Sequence, residues 1–226
     1  MEMQRNVSVI LRSNTNHERG CVVVLGVPRG GTSVVSGICH IIGFQMGLNI
    51  DPSNMECSEV IRMNKEENFQ VKFSGYIKKC ERNNLRFGFK DPTAIDWLGQ
   101  VVDLIPNPIF IYVSRDIVAS AERERLAGSE IQRTLHMTAL RTKQIVSFLL
   151  NQSNPTILIS YERLLLDPVR GFSELAEFLI GDQLVETAQY ASQFVKTSAD
   201  MPSQINFLDL AISLRRTNQQ LSTLRQ

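Results

Sequence analysis

The run Cys21-Val22-Val23-Val24-Leu25-Gly26 constrains the fold more than any other part of this chain. It is apolar throughout, β-branched and short, the signature of a strand buried on both faces. Val27-Pro28-Arg29-Gly30-Gly31-Thr32-Ser33 follows, leading into an apolar stretch from Thr32 to Phe44 that reads as a helix. A strand, a glycine-rich loop and a helix in that order make an anion cradle. Backbone N–H groups of the loop and the positive end of the helix point at one place. Gly30 and Gly31 permit unusual backbone angles and close approach of a phosphate, and the hydroxyls of Thr32 and Ser33 add donors. The plainer alternative is a glycine-rich turn carrying a surface arginine.

Short apolar runs alternate with helical stretches along the rest of the chain. Strands are expected at Leu85–Lys90, Ile109–Val113 and Thr156–Ile159. Helices are expected at Glu66–Arg82, Thr93–Leu104 and Ser129–Leu150, the last with Ile131, Leu135, Ile145 and Leu149 on one face. Further helices should cover Tyr161–Ile180, broken at Asp167-Pro168, and Gln183–Val195. Asn49–Glu59 reads as loop, and Ile105 to Pro108 as a turn. The alternation implies an α/β fold with a mostly parallel sheet covered on both faces, and right-handed crossovers. Met1–Gly20 is polar and reads as a flexible leader, 21–200 as a single domain, and 201–226 as a tail, amphipathic only over Phe207–Leu214.

Length and charge narrow the function classes. A chain of 226 residues buries a full core, and its formal net charge of +1 gives no reason to expect nucleic acid or an acidic membrane as partner. Any anion site must be built locally. Cys21, Cys39, Cys57 and Cys80 are widely spaced with no CxxC or Cys/His cluster, so no metal site is expected. They read as reduced, structural thiols of a cytoplasmic protein, and no signal peptide or membrane segment is legible.

The spacing from Gly26 to Gly31 matches a nucleotide-triphosphatase phosphate loop, but Thr32 stands where that loop has its phosphate-binding lysine. The cation has moved inside the loop, as Arg29. The segment Val27–Ser33 resembles the 5′-phosphosulfate loop of the sulfotransferase family, with Gly30 at a position where the family usually has serine. Pro108-Ile109-Phe110-Ile111-Tyr112-Val113-Ser114-Arg115-Asp116-Ile117-Val118-Ala119-Ser120 is similar to the family's 3′-phosphate region. Ile159-Ser160-Tyr161-Glu162-Arg163-Leu164-Leu165-Leu166-Asp167-Pro168 is a third likeness, one of packing and topology. The resemblance implies a P-loop-type three-layer α/β/α fold and a donor, 3′-phosphoadenosine 5′-phosphosulfate (PAPS). It implies Pro28, Arg29, Gly30, Gly31, Thr32 and Ser33 at the 5′ end, and Arg115 with Ser120 at the 3′-phosphate. Arg215 and Arg216 are similar in place to a late basic element that many family members use on that same phosphate.

Sulfuryl transfer needs an activated acceptor and stabilisation of charge on the departing phosphate oxygen. Arg29 suits the leaving group. Lys90 and Asp91, in Gly88-Phe89-Lys90-Asp91-Pro92, stand at a strand end where ligands bind in open α/β sheets. Asp91 is a candidate base and Lys90 a partner for the sulfate oxygens; the alternative is a helix-capping Asp91 with Lys90 beside it. Glu56, Glu59, Glu66 and Glu67 are further candidate bases. His40 reads as a core histidine, His136 as exposed, and His17 as part of the leader. Arg123 and Arg125 alternate with Glu122 and Glu124 and read as a solvated face. A carbohydrate or other small hydroxyl or amine compound is the expected acceptor. A P-loop kinase or NTPase, and a non-catalytic nucleotide-binding module, are the rival readings.

Overall fold

The computed structural model describes residues 6–83, 86–200 and 206–223. Five strands form one sheet: β1 (Ser8–Arg12), β2 (Gly20–Gly26), β3 (Arg86–Lys90), β4 (Pro108–Ser114) and β5 (Thr156–Ser160), in the order β1-β5-β4-β2-β3. β2 to β5 run parallel and β1 pairs antiparallel with β5. The helices are α1 (Thr32–Ile42), α2 (Ser58–Met63), α3 (Phe69–Asn83), α4 (Ile117–Leu126), α5 (Ile131–Leu150), α6 (Tyr161–Leu166), α7 (Pro168–Ile180), α8 (Val185–Asp200) and α9 (Phe207–Thr223).

The strand period of two sorts the side chains into two cores. Val22, Val24, Ile109, Ile111, Ile157 and Ile159 face α1, α7 and α8. Cys21, Val23, Leu25, Phe87, Phe89, Phe110 and Tyr112 face α3 and α5. The result is the three-layer α/β/α arrangement, and β2, buried along its whole length, is its central strand. All four cysteines are buried free thiols. Among the described residues no helix is long and apolar enough to cross a membrane.

Two elements differ from the sequence expectation. Ser8–Arg12, within the expected leader, is an edge strand. Glu174 of α7 accepts from Ser8 N and Oγ at 2.8 and 2.6 Å, and Arg12 donates to the carbonyls of Asn154 and Leu149. Met1–Arg5, Asn84–Leu85, Met201–Ile205 and Leu224–Gln226 lie outside the described residues. The second difference is Thr93–Leu104, which forms three single 3₁₀ turns at 94–96, 98–100 and 102–104. Trp97 breaks the α path. Its ring stacks on Phe89 at 5.9 Å and meets Phe69 edge-on at 5.4 Å, and its Nε1 donates to Asp91. Elsewhere the punctuation is as read: Asp167 caps α7 with Pro168 in the first turn, accepting from Arg170 N at 3.2 Å.

His40, only 4% exposed on α1, has an Nδ1 without a partner. Burial first, then the charge of Arg215, pulls its imidazole down to about 4. The unfolded chain therefore takes up a proton that the folded chain refuses. The stability this histidine allows is present above pH 6.5 and is lost as pH falls towards 4, by up to about 3 kcal/mol. We expect His40→Gln to flatten that part of the acid limb. Urea midpoints at neutral and mildly acidic pH check it, because an unchanged difference between them would remove His40 as the cause.

Candidate functional site

β2 lies between β3 on one side and β4 on the other. The chain leaves β2 towards β3 and later crosses back to β4, so the loops after β2 and β4 diverge and open a crevice at their carboxyl ends. Ligands bind at such a switch point in open α/β sheets. Here it is a cavity of about 740 Å³ lined by the loop after β2, the end of β3, the loop before α2, α4 and the start of α6.

The loop is wound tightly. Gly30 N donates to Val27 O at 2.9 Å, and both Arg29 (φ 58°) and Gly31 (φ 86°) are left-handed. Such reversals turn backbone N–H groups inwards as a nest. Gly31, the N-cap of α1, offers no capping side chain, and no acidic residue stands in the first turn. The positive helix end thus faces the cavity with no protein anion on it. A Cβ on Gly31 would fall 2.2 Å from the Tyr161 ring, so ring and loop fit only because this residue is glycine. Pro28, Thr32 and Ser33 line the same wall, and Gly30 is buried beneath it. The exposed Arg29 side chain pairs with Glu124 at 3.4 Å.

Arg115 stands where β4 ends. Its guanidinium lies 4.9 Å over the Tyr161 ring and donates to Arg29 O at 2.6 Å, while its Nε is buried without a partner. Burial, and also the like charge of Arg123, pull Arg115 down from the usual guanidinium range. Tyr161, Glu162 and Asp116 act against that shift. Like Arg115, Ser120 does not line the cavity. It is fully buried on α4 beside Ala121, with an unpartnered hydroxyl inside the fold. Arg123, one turn further on, lines the cavity instead, whereas Arg125 closes an exposed pair with Glu122. The expected solvated face is thus half right.

The opposite wall carries a largely buried ion pair. Lys90, 2% exposed, donates to Glu56 Oε1 at 2.8 Å and Asn54 O at 3.1 Å, and reaches Ser33 Oγ at 3.4 Å. Desolvation lowers its pKa, with Glu56 opposing that shift most strongly. Asp91 turns away. Its Oδ1 accepts from Thr93 N and Oγ1, both at 2.8 Å, and its Oδ2 from Trp97 Nε1 at 3.0 Å. With its lone pairs taken and 3% exposure it is a structural cap and does not line the cavity. Glu56 does line it; Glu59, Glu66 and Glu67 do not, and Glu66 is held by Lys72 and Arg62.

Arg215 and Arg216 are not brought to this site. Arg215 donates to Gly43 O, beyond the far end of α1 from the loop. Tyr161, read as a packing residue, is a cavity wall, and Arg123 was hidden by its alternation with glutamates. The adjacent small residues Ser120 and Ala121 were the available signal: they mark the packed face of α4 and turn Arg123 outwards.

No family model and no curated protein matches the sequence. Among solved structures, the sulfotransferase domain from the Synechococcus PCC 7002 olefin synthase superposes with a TM-score of 0.53 at 15% identity, over 89% of this chain and 97% of that one. The sulfotransferase domain from the curacin biosynthetic pathway gives a TM-score of 0.45 at 19% identity, over 73% and 75%. The first of these carries the comparison, and it shows that this chain has the fold of a sulfotransferase domain.

Proposed function

We propose that the protein transfers a sulfuryl group from PAPS to the hydroxyl of a small acceptor, a carbohydrate among the candidates. One observation carries this reading. A single cavity has a cationic wall, made of the uncapped α1 end, Arg29 and Arg123, facing a wall made of Lys90 and Glu56, and Arg115 stands behind the first wall against Arg29 O and the Tyr161 ring. The Arg115 guanidinium, close behind the loop at Arg29 O, and the cradle floored by Gly31 suit a ligand with phosphate groups at two separated points.

In the proposed reaction the acceptor oxygen bonds to sulfur as the sulfur–oxygen bond to the 5′-phosphate breaks, releasing adenosine 3′,5′-bisphosphate. Glu56 takes the acceptor proton. Lys90 holds Glu56 in place and balances negative charge on the sulfuryl oxygens. Arg29, released from Glu124, and the loop amides stabilise the departing phosphate oxygen. Arg115 and Arg123 hold the 3′-phosphate. Asp91 fixes the end of β3 through Thr93 and Trp97, and so positions Lys90 without touching the reactants.

The test is turnover of PAPS with a panel of phenols, sugars and alcohols, following bisphosphate release and sulfated product together. Product formation without added metal is expected. Magnesium-dependent ATP turnover would move the protein to the kinases. Tight bisphosphate binding with no transfer to any acceptor would make it a nucleotide-binding module.

A further inference from the structure

The two arginines that the donor site does not use gather at a second cavity. It measures about 330 Å³ and lies between α9 and the far end of α1, lined by His40, Gln45, Leu48, Ile50, Leu208, Ile212, Arg215 and Arg216. Its charge is one-sided. Among the described residues no acidic side chain lines it, and after Asp209 the sequence contains none to bring. Half-burial lowers the pKa of Arg215, and no carboxylate offsets that shift. Buried or half-buried cations in proteins are ordinarily paired. Among the described residues Arg215 has only the Gly43 carbonyl as a hydrogen-bond partner, at 3.1 Å.

That single bond answers the plain explanation, in which Arg215 merely caps α1. A guanidinium has five N–H donors, and this contact uses one of its nitrogens. Arg216 beside it lines the cavity as well. His40 adds a polar atom, since its Nδ1 is buried without a partner in a side chain 4% exposed, and the residue forms part of the cavity wall. In the tautomer with its proton on Nδ1 the ring is a third donor. Gln45, whose Nε2 donates to Gly47 O, and four branched apolar side chains, Leu48, Ile50, Leu208 and Ile212, make up the remainder of the wall. Donors at one end and hydrocarbon along the sides suit a ligand with the same division.

We propose that this cavity binds a small amphiphilic anion, a carboxylate or sulfate monoester bearing a short apolar chain, with its charged head on Arg215, Arg216 and His40. The site lies beyond the end of α1 remote from the glycine-rich loop, so it is separate from the donor cavity and stands whether or not the protein transfers sulfuryl groups.

Calorimetric titration of the full chain with hexanoate, hexyl sulfate and inorganic sulfate tests it. Saturable binding of both hexyl ligands, clearly tighter than that of inorganic sulfate, is expected. Arg216→Ala should weaken it about tenfold, the consequence of losing one charge-assisted contact. Arg215→Lys keeps a cation on the Gly43 carbonyl and should weaken binding while the protein stays folded, which separates ligand loss from unfolding. Arg115→Ala should leave it unchanged. If neither hexyl ligand binds saturably, or if Arg216→Ala and Arg215→Lys both bind as wild type does, the proposal fails. Binding abolished by Arg115→Ala would place the ligand in the donor cavity and also overturn it.

Discussion

In the proposed reaction Glu56→Gln should lower kcat roughly a thousandfold, with adenosine 3′,5′-bisphosphate bound as by wild type. The amide keeps the size of the side chain and one acceptor on Lys90 but cannot take a proton, and positioned general bases contribute about 10²–10⁴-fold. Asp91→Asn is the needed comparison, because both carboxylates flank the end of β3. Asp91 accepts from four donors, Thr93 N and Oγ1, Trp97 Nε1 and Asn64 Nδ2, and does not line the cavity. Its loss should appear as about 1–3 kcal/mol of stability, the scale for a hydrogen bond to a buried charged group, with kcat changed far less than in Glu56→Gln. Single-turnover transfer rates and urea midpoints on both variants separate the roles. Were Asp91→Asn folded and inactive while Glu56→Gln turned over normally, the base would be Asp91 and the placement of Glu56 incidental.

Arg115→Ala removes most of the stabilisation that adenosine 3′,5′-bisphosphate confers, and Arg123→Ala a substantial part of it. Losing one partner of a desolvated charge contact costs about 2–5 kcal/mol, so for Arg115 a hundredfold weaker Kd is a modest expectation. At a ligand concentration one hundred times the wild-type Kd, stabilisation is about 2.7 kcal/mol, and a hundredfold loss of affinity reduces it to about 0.4 kcal/mol. Melting curves resolve that difference directly. AMP, without the 3′-phosphate, should respond little to either substitution. Ser120→Ala should leave bisphosphate affinity within about threefold of wild type, since its hydroxyl is sealed inside the fold. A large loss in Ser120→Ala with Arg123→Ala unaffected would restore the serine as the ligand and return Arg123 to the solvated face.

Legibility in the sequence followed physical range. The central strand, the glycine-rich loop and α1 are contiguous, and their pattern sufficed to place them. The break at Asp167-Pro168 and the buried position of His40 were legible for the same reason. What failed depended on contacts between distant segments. Ser8–Arg12 is polar at its ends and exposed in its middle, and only pairing with β5 makes it a strand. The 3₁₀ path of 94–104 depends on Trp97 finding the aromatic cluster around Phe89. At the site, Arg29 and Arg115 were legible as candidates because each follows a strong strand. The division of labour between Asp91 and Glu56 was not legible, because which carboxylate faces the cavity is settled by Trp97 and Thr93 in one case and by Lys90 in the other. Arg215 and Arg216 were assigned by position near the end of the chain, and the packing of α9 on α1 takes them elsewhere.

The edge strand has a bearing on how the chain acquires its shape during synthesis. Ser8 is held by Glu174, 166 residues further along, and among the described residues β1 has no sheet neighbour other than β5. When β1 leaves the ribosome its partner does not yet exist, whereas β2, β3 and β4 can already assemble around the glycine-rich loop. Contacts of such long sequence separation form slowly, because the loop they close is ordered before it is rewarded. The phosphate cradle is therefore expected to take shape before the sheet is closed at its β5 side. In the interim a strand that exposes Val9, Ile10 and Leu11 is open to pairing with another nascent chain, the circumstance in which assistance from a chaperone has most to contribute.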